Sequence, residues 1–295
     1  GEDELRFAHR MFRESVQRVA EDGGRLPAHN LTCATALGRL YSADGLPGER
    51  IANHLFRAGT WDRCLEPLLR AADERVERAE YDKAERLLAR HNEALELLGV
   101  GSTDIRLVRE WIVRARMEAR RGNFEYVSET AQRAEALAAR SGWFDLRGEA
   151  LLLQARLAHQ AYDFDRATRF YNDALDALGG ADAPTMQVAA LSRDGARPSA
   201  PVAAWYGEAS AGRVEVLLGL GDVARRQGEL GRATSMFDQA LLAAQSRGDG
   251  RLMAQALRGL GGVRTVAGDI SGAFDAYRSA LQFADDQGHR FHAAG

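Results

Sequence analysis

The sequence predicts an all-α fold built from a stack of antiparallel helix pairs, and three observations support this class. Residues 257–288 repeat residues 217–248 at an offset of 40, with eleven of the 32 positions identical. Apolar residues recur at helical spacing along most of the chain. Short corners that contain glycine or an acidic residue separate these periodic segments. Self-similarity at a fixed period of this length is the signature of a stacked-repeat protein.

The composition is ordinary for a soluble protein, and the net charge gives no overall attraction to nucleic acid or to anionic lipid. The chain has 295 residues, a net charge of −3 and 45% hydrophobic residues. The near-neutral charge disfavours direct nucleic-acid binding, and the apolar runs are too short for a membrane span. Cys33 and Cys64 are isolated, which suggests buried thiols in a reducing compartment and hence a cytoplasmic location. The chain lacks an initial Met, so we expect it to be part of a longer protein.

The front of the chain, residues 1–46, is predicted to form a small N-terminal cap. Residues 4–9 could form a short strand, and a helix is expected near residues 10–20, followed by a turn at Gly23 and Gly24. Pro27 then opens a second helix. The segment SADGLPG at 42–48 contains a change in composition that marks the end of the cap.

Residues 47–179 are predicted to form a first helical block. Three helices with short corners are expected between residues 49 and 99. Two hairpins then follow, with corners near Gly122 and Tyr162 that are again 40 residues apart. The next corner, at Gly228, comes 66 residues later, so about 26 residues are inserted. Residues 180–206 supply them, and we expect a long loop there, with a second helical block over residues 207–295.

The corner pattern resembles that of tetratricopeptide repeats. Gly228 is followed by Ala233, Phe237 and Ala240, and the series Gly268, Ala273, Tyr277 and Ala280 repeats this spacing. The resemblance implies a right-handed superhelix of antiparallel helix pairs that binds a protein or peptide. In the unit near residue 162, Tyr162 stands where the pattern has glycine.

A period of 40 exceeds the usual 34 residues of these repeats, and it resembles the longer-helix repeats of bacterial STAND-type signalling ATPases and maltose-regulator-like proteins. The segments ELRFAHRMFRESVQRV and PAHNLTCATALGRLY resemble the end of their winged-helix segment, and NHLFRAGTWDRCLEPLLRAADERV resembles the start of their repeats. The resemblance implies the sensor or partner-binding part of a larger bacterial signalling protein. No GxxxxGK[ST] loop is present, so nucleotide chemistry would lie outside this chain.

Candidate chemical motifs are few, and each has a simpler explanation. Residues 219–224 match a GxGxxA dinucleotide fingerprint, but they lie inside a predicted helix and are repeated at Gly259 and Gly261. His289 and His292 could both face a metal ion, but no third ligand has suitable spacing. We therefore expect no enzyme, no cofactor and no metal site.

Two classes of function remain. The first is a scaffold whose groove binds a protein or peptide, either a separate partner or another part of the parent chain. The second is a sensor that holds a small effector, and a 180–206 loop folded across the groove would favour it. In tetratricopeptide arrays the first helix of each hairpin lines the concave face. This phase turns six arginines toward the groove, so an acidic peptide is the expected ligand. They are Arg109, Arg116, Arg120, Arg156, Arg225 and Arg226. Alternatively, these arginines are ordinary solvated or ion-paired helix residues.

Overall fold

The computed structural model describes residues 10–40, 48–179 and 200–293, and these ranges contain thirteen helices and no strand. The predicted all-α fold of tetratricopeptide-like helix pairs is confirmed. The helices are α1 (Arg10–Asp22), α2 (Leu26–Leu40), α3 (Gly48–Arg57), α4 (Trp61–Glu77), α5 (Tyr81–Leu97), α6 (Ile105–Arg121), α7 (Phe124–Ser141), α8 (Phe144–Gln160), α9 (Phe164–Gly179), α10 (Ala200–Arg226), α11 (Leu230–Arg247), α12 (Gly250–Val266) and α13 (Ile270–Ala293).

The chain divides into two compact units, residues 1–117 and 118–295. The predicted end of the cap at residue 46 lies outside the described ranges, and so do the strand expected at 4–9 and residues 180–199 of the expected loop. At residues 200–206, where a loop was expected, the chain is already helical. The physical reason is that Pro201 lies in the first turn of α10, where its missing N–H has no helical partner to lose.

The core of the first unit is formed mainly by α3, α4 and α5. Helices α4 and α5 are joined by a three-residue corner, so they pack as an antiparallel pair. Leucines and alanines on their facing sides are fully or almost fully buried, including Leu68, Ala72, Ala84 and Leu88. At the surface, Arg75 on α4 donates to Glu49 on α3 at 2.6 Å and also bonds Glu80. The apolar faces that the sequence periodicity predicts are therefore the faces that are buried in the structure.

Glu110 and His91 are ionisable residues that lie buried in the first unit. Glu110 accepts a hydrogen bond from Arg114 at 2.7 Å, yet burial raises the pKa of its carboxyl group. His91 is completely buried on α5. Burial, together with the positive charges of Arg106 and Arg114, lowers the pKa of its imidazole to about 4. The folded state therefore holds His91 neutral at pH values where the unfolded chain would protonate it.

We predict that His91 makes the first unit less stable in mild acid. The pKa of the imidazole is about 4 in the folded chain and near 6.5 when unfolded. Stability is therefore complete above pH 6.5 and falls as the pH drops toward 4, by up to about 3 kcal/mol. Urea unfolding between pH 7.5 and pH 4.5 measures this slope. The His91→Met variant, which cannot titrate, should lose this part of the pH dependence. Equal slopes in the two proteins would contradict the prediction.

The second unit is a run of helix pairs in which each helix packs on its neighbour in sequence. Contacts join α7 to α8, α8 to α9, and then every successive pair from α9 to α13. In the second helix of each hairpin, alanines occupy the positions where neighbouring helices come close together. Ala167, Ala174, Ala233 and Ala240 are completely buried, and Ala273 is nearly so. First helices of successive hairpins also touch, α8 with α10 and α10 with α12. These first helices form one continuous surface.

The corners between paired helices need a left-handed backbone residue. Glycine fills this position at Gly122, Gly228 and Gly268, with φ between 80° and 83°. At two corners the residue is not glycine, since Ala79 has φ 58° and Tyr162 has φ 60°. A side chain with a Cβ is disfavoured in this conformation by about 1–2 kcal/mol. The position of Tyr162 agrees with the sequence register, which placed it at the glycine of the repeat.

We predict that Ala79→Gly stabilises the first unit by about 0.5 kcal/mol. Removing the Cβ relieves the left-handed strain, and the greater freedom of glycine in the unfolded chain offsets part of that gain. Ala58 is the matched control because it lies just after α3 with an ordinary φ, so Ala58→Gly should destabilise. Chemical denaturation of both variants measures the difference. A lower stability for Ala79→Gly would show that this corner is not strained.

Candidate functional site

In the second unit, aromatic rings on three second helices pack against glycines on neighbouring first helices. Tyr171 lies on Gly219 of α10, where an added Cβ would overlap its ring. Phe237 lies between Gly221 and Gly259, and Tyr277 lies on Gly261 at 2.7 Å from where a Cβ would be. The GxGxxA motif at 219–224 lies inside α10. Its glycines therefore serve helix packing, as the sequence analysis favoured.

These contacts form the floor of a groove of about 510 Å³ in the second unit. The walls come from first helices, namely α8, α10 and α12, while the three rings contribute from below. Because the glycines have no side chain, the rings can come close to the helix backbone. The floor of the groove therefore consists of backbone and ring edges where aliphatic side chains would otherwise lie. The lining residues on the walls are mostly charged or polar, including Arg156, Glu215, Asp222, Arg225, Arg226, Gln255 and Arg258.

Two carboxylates hold several of the groove arginines in place. Glu215 accepts a hydrogen bond from Arg156 at 2.8 Å and one from Arg251 at 3.3 Å. Asp222 lies 3.1 Å from the Nε2 atom of His159 and bonds both Arg225 and Arg226. The hydrogen bond from His159, followed by those from the two arginines, keeps the pKa of Asp222 well below its usual range. The Asp222 carboxylate therefore carries full charge at neutral pH.

A second recess of about 390 Å³ adjoins the groove and shares Arg156, Tyr171, Asp222 and Arg226 with it. Tyr162 lies at its edge, where its ring meets Phe164 at a centroid distance of 6.1 Å and the guanidinium of Arg226 at 5.9 Å. His159 packs edge-on against Phe164 and Tyr171. Burial raises the pKa of the Tyr171 phenol to about 12, so the hydroxyl stays protonated.

Arg258 is a groove arginine for which the described residues provide no ion-pair partner. It lies on α12 beside Gln255 and Gly259, and its side chain is exposed. Within the described ranges no carboxylate lies at ion-pair distance from it. The lining thus carries four arginines, Arg156, Arg225, Arg226 and Arg258, against the two carboxylates Glu215 and Asp222. The positive surplus makes the groove a suitable surface for an anion.

Comparison with known proteins agrees with the repeat pattern. Residues 212–286 match the tetratricopeptide-repeat family. A crystal structure of BtubC (BKLC) from P. vanneervenii is similar in fold, with a TM-score of 0.53 and 21% sequence identity, over 90% of this chain and 92% of that one. No curated protein sequence matches the chain closely enough to count as a relative.

The chain thus contains a tetratricopeptide-repeat region, and the groove lies within and beside it. Such repeats generally mediate contacts between proteins, which supports a protein-interaction scaffold. None of the described helices combines the length and the apolar character that a membrane span requires. The same described residues contain no group of three His, Cys, Asp or Glu side chains that could hold a metal ion. The side chains of His289 and His292 lie outside the described set.

The structure brings three of the six predicted arginines into the repeat groove. Arg156, Arg225 and Arg226 all line it. Arg109 and Arg116 belong to the first unit, where Arg116 lies 3.3 Å from Asp73. Arg120 is exposed near the end of α6 and is not among the groove-lining residues. The six residues therefore do not form a single site in one unit.

Arg258 and Gln255 are groove residues that the sequence analysis missed. The signal that could have found Arg258 is the 40-residue register, which aligns it with Leu218 directly before the Gly-Leu-Gly segment. Leu218 also lines the groove. A position that faces the groove in one repeat should face it in the next, so the register alone places Arg258 there.

We predict that Gly219→Ala destabilises the second unit by about 1–3 kcal/mol, because the new methyl group would overlap the ring of Tyr171. In a helix without that contact, alanine would be favoured over glycine by about 1 kcal/mol. Gly231→Ala is the matched control, since nothing lies within 4 Å of a Cβ there. Thermal unfolding should show a lower Tm for the first variant only. If Gly219→Ala raises the Tm, the ring does not limit the helix spacing.

Proposed function

We propose that the groove of the second unit binds an acidic peptide segment of a partner protein. The observation that carries this proposal is Arg258, an exposed guanidinium at the groove to which no carboxylate among the described residues is paired. A guanidinium has five N–H donors in a fixed plane and binds carboxylates through two parallel hydrogen bonds. A glutamate or aspartate of the ligand would supply the missing acceptor.

The paired arginines strengthen this site in a second way. Asp222 holds Arg225 and Arg226, and Glu215 holds Arg156, so the guanidinium groups are oriented before a ligand arrives. Each keeps N–H donors that its single carboxylate partner does not use. Donors that are already fixed lose less side-chain entropy on binding. A ligand with two or more acidic residues could therefore contact Arg258 and one of the held arginines together.

The shape of the groove favours a peptide over a small effector. Sites for small molecules are mostly apolar and enclose most of the ligand surface. Here the walls are charged and formed by three successive first helices. The volume of about 510 Å³ lies in the range of small-molecule sites, so an effector-sensing role is the second candidate. An experiment in which a free amino acid competes with a peptide for the groove distinguishes the effector-sensing role from the peptide-binding role.

The wider context of the proposal is a larger bacterial signalling protein of the STAND type, acting in the cytoplasm. It rests on the resemblance of residues 4–78 to the segments around the start of the repeats in those proteins. The acidic segment could belong to a separate partner or to the parent chain itself. Sequencing the parent gene tests this context, since a P-loop upstream of Gly1 would support it and a kinase or protease domain would replace it.

A fluorescence-anisotropy titration tests the groove. The probe is a labelled heptapeptide of alternating glutamate and alanine, and its glutamine counterpart is the control ligand. We expect the acidic probe to bind the full chain with an affinity that falls as salt rises. Arg258→Gln should weaken binding about tenfold, which is a typical loss for one charged hydrogen-bonded contact.

Arg247→Gln is the matched control variant, because Arg247 is an exposed arginine on α11 that does not line the groove. It should bind the acidic probe like the wild type. Equal affinity of Arg258→Gln and Arg247→Gln, or equal binding of the glutamine peptide, would overturn the proposal. If free glutamate displaces the probe at the concentration at which the peptide itself does, the small-effector role replaces the peptide role.

A further inference from the structure

The hydroxyl of Tyr171, on the floor of the groove, is a polar group that helix packing does not explain. The side chain is only 2% exposed, and its ring lies against Gly219. None of the other described residues forms a hydrogen bond with the hydroxyl. Enclosing a hydroxyl without a partner costs free energy, so its presence at this position calls for a physical reason.

The corresponding ring one repeat later packs in the same way without a hydroxyl. Counted from the corners at Tyr162 and Gly228, Tyr171 corresponds to Phe237. Phe237 lies against two glycines and is 3% exposed. A phenylalanine ring is therefore sufficient for the contact between ring and glycine. The packing of the helices thus accounts for the ring of Tyr171 but not for its hydroxyl.

Tyr171 lies where the groove meets the adjoining recess. Four residues line both of these spaces, and we call them the junction: Arg156, Tyr171, Asp222 and Arg226. The hydroxyl oxygen lies 2.6 Å from the place that a Cβ of Gly219 would take, and Gly219 itself lines the groove. The polar end of the tyrosine is therefore the end that a ligand at the junction would meet.

The two arginines of the junction keep donors that no described residue uses. Arg156 donates from Nη2 to Glu215 at 2.8 Å, and Arg226 donates from Nε to Asp222 at 3.1 Å. The other nitrogens of these guanidinium groups form no hydrogen bond with a described residue. Each of the two carboxylates is already engaged by two or more donors. The hydrogen-bonding capacity that remains at the junction is thus mainly that of donors, which suits an anionic group.

We propose that the junction is an anion subsite in which the hydroxyl of Tyr171 donates a hydrogen bond to an acidic side chain of the peptide. Arg156 and Arg226 contact the same carboxylate. Burial raises the pKa of the phenol to about 12, so the hydroxyl keeps the proton that it donates. Arg258 lines the groove but not the recess, so we assign it to a different acidic residue. This inference rests on the proposed function, because it concerns the same ligand.

The Tyr171→Phe variant tests the subsite, since it removes the hydroxyl and keeps the ring. We expect it to bind the labelled heptapeptide of alternating glutamate and alanine about tenfold more weakly than the wild type. Its Tm should be no lower, because no described residue loses a hydrogen bond. Two separate anchors give additive free energies, so the Tyr171→Phe/Arg258→Gln double variant should bind about a hundredfold more weakly.

Tyr126→Phe is the matched control, because Tyr126 lies on α7 in the same unit and lines neither the groove nor the recess. It should bind the probe like the wild type. Equal affinities of Tyr171→Phe and Tyr126→Phe, with Arg258→Gln still weakened, would overturn the subsite and leave the groove proposal intact. No binding by the wild type would overturn both.

Two further outcomes would overturn the subsite alone. A lower Tm for Tyr171→Phe would mean that the hydroxyl has a structural partner. A double variant that binds no more weakly than Arg258→Gln would mean that Arg258 and Tyr171 do not hold separate carboxylates.

Discussion

The contact between an aromatic ring and a glycine is the constraint on which the second unit depends. Tyr171, Phe237 and Tyr277 each take the space that a side chain would fill on a neighbouring first helix. Protein interiors are close-packed, so a single added methyl group there must displace a ring or a helix. Buried alanines such as Ala233 and Ala240 extend the same close approach along the second helices. The spacing of the helices, and with it the width of the groove, follows from these small residues.

Features set by local sequence could be predicted, and features set by contacts between distant helices could not. The 40-residue register correctly indicated the packing role of Gly219 and Gly259 and the corner position of Tyr162, because these positions recur at the same place in successive repeats. The bond between Arg156 and Glu215 joins residues 59 positions apart. Such pairing depends on the rotation of one helix against another, which periodicity does not specify. The loop expected to extend to residue 206 is already helical from Ala200. Pro201 did not settle this in the sequence, because proline occurs both in loops and in the first turn of helices.

Carboxylates within the groove neutralise part of the positive charge of its arginines. Asp222 and Glu215 each hold two arginines, and Arg258 remains exposed on the same lining. If every arginine had a carboxylate of its own, an anionic ligand would have to displace an existing ion pair and would gain little. With no carboxylates at all, the guanidinium groups would repel one another and stay mobile. The observed ratio keeps most of the arginines oriented and still leaves donors for a ligand.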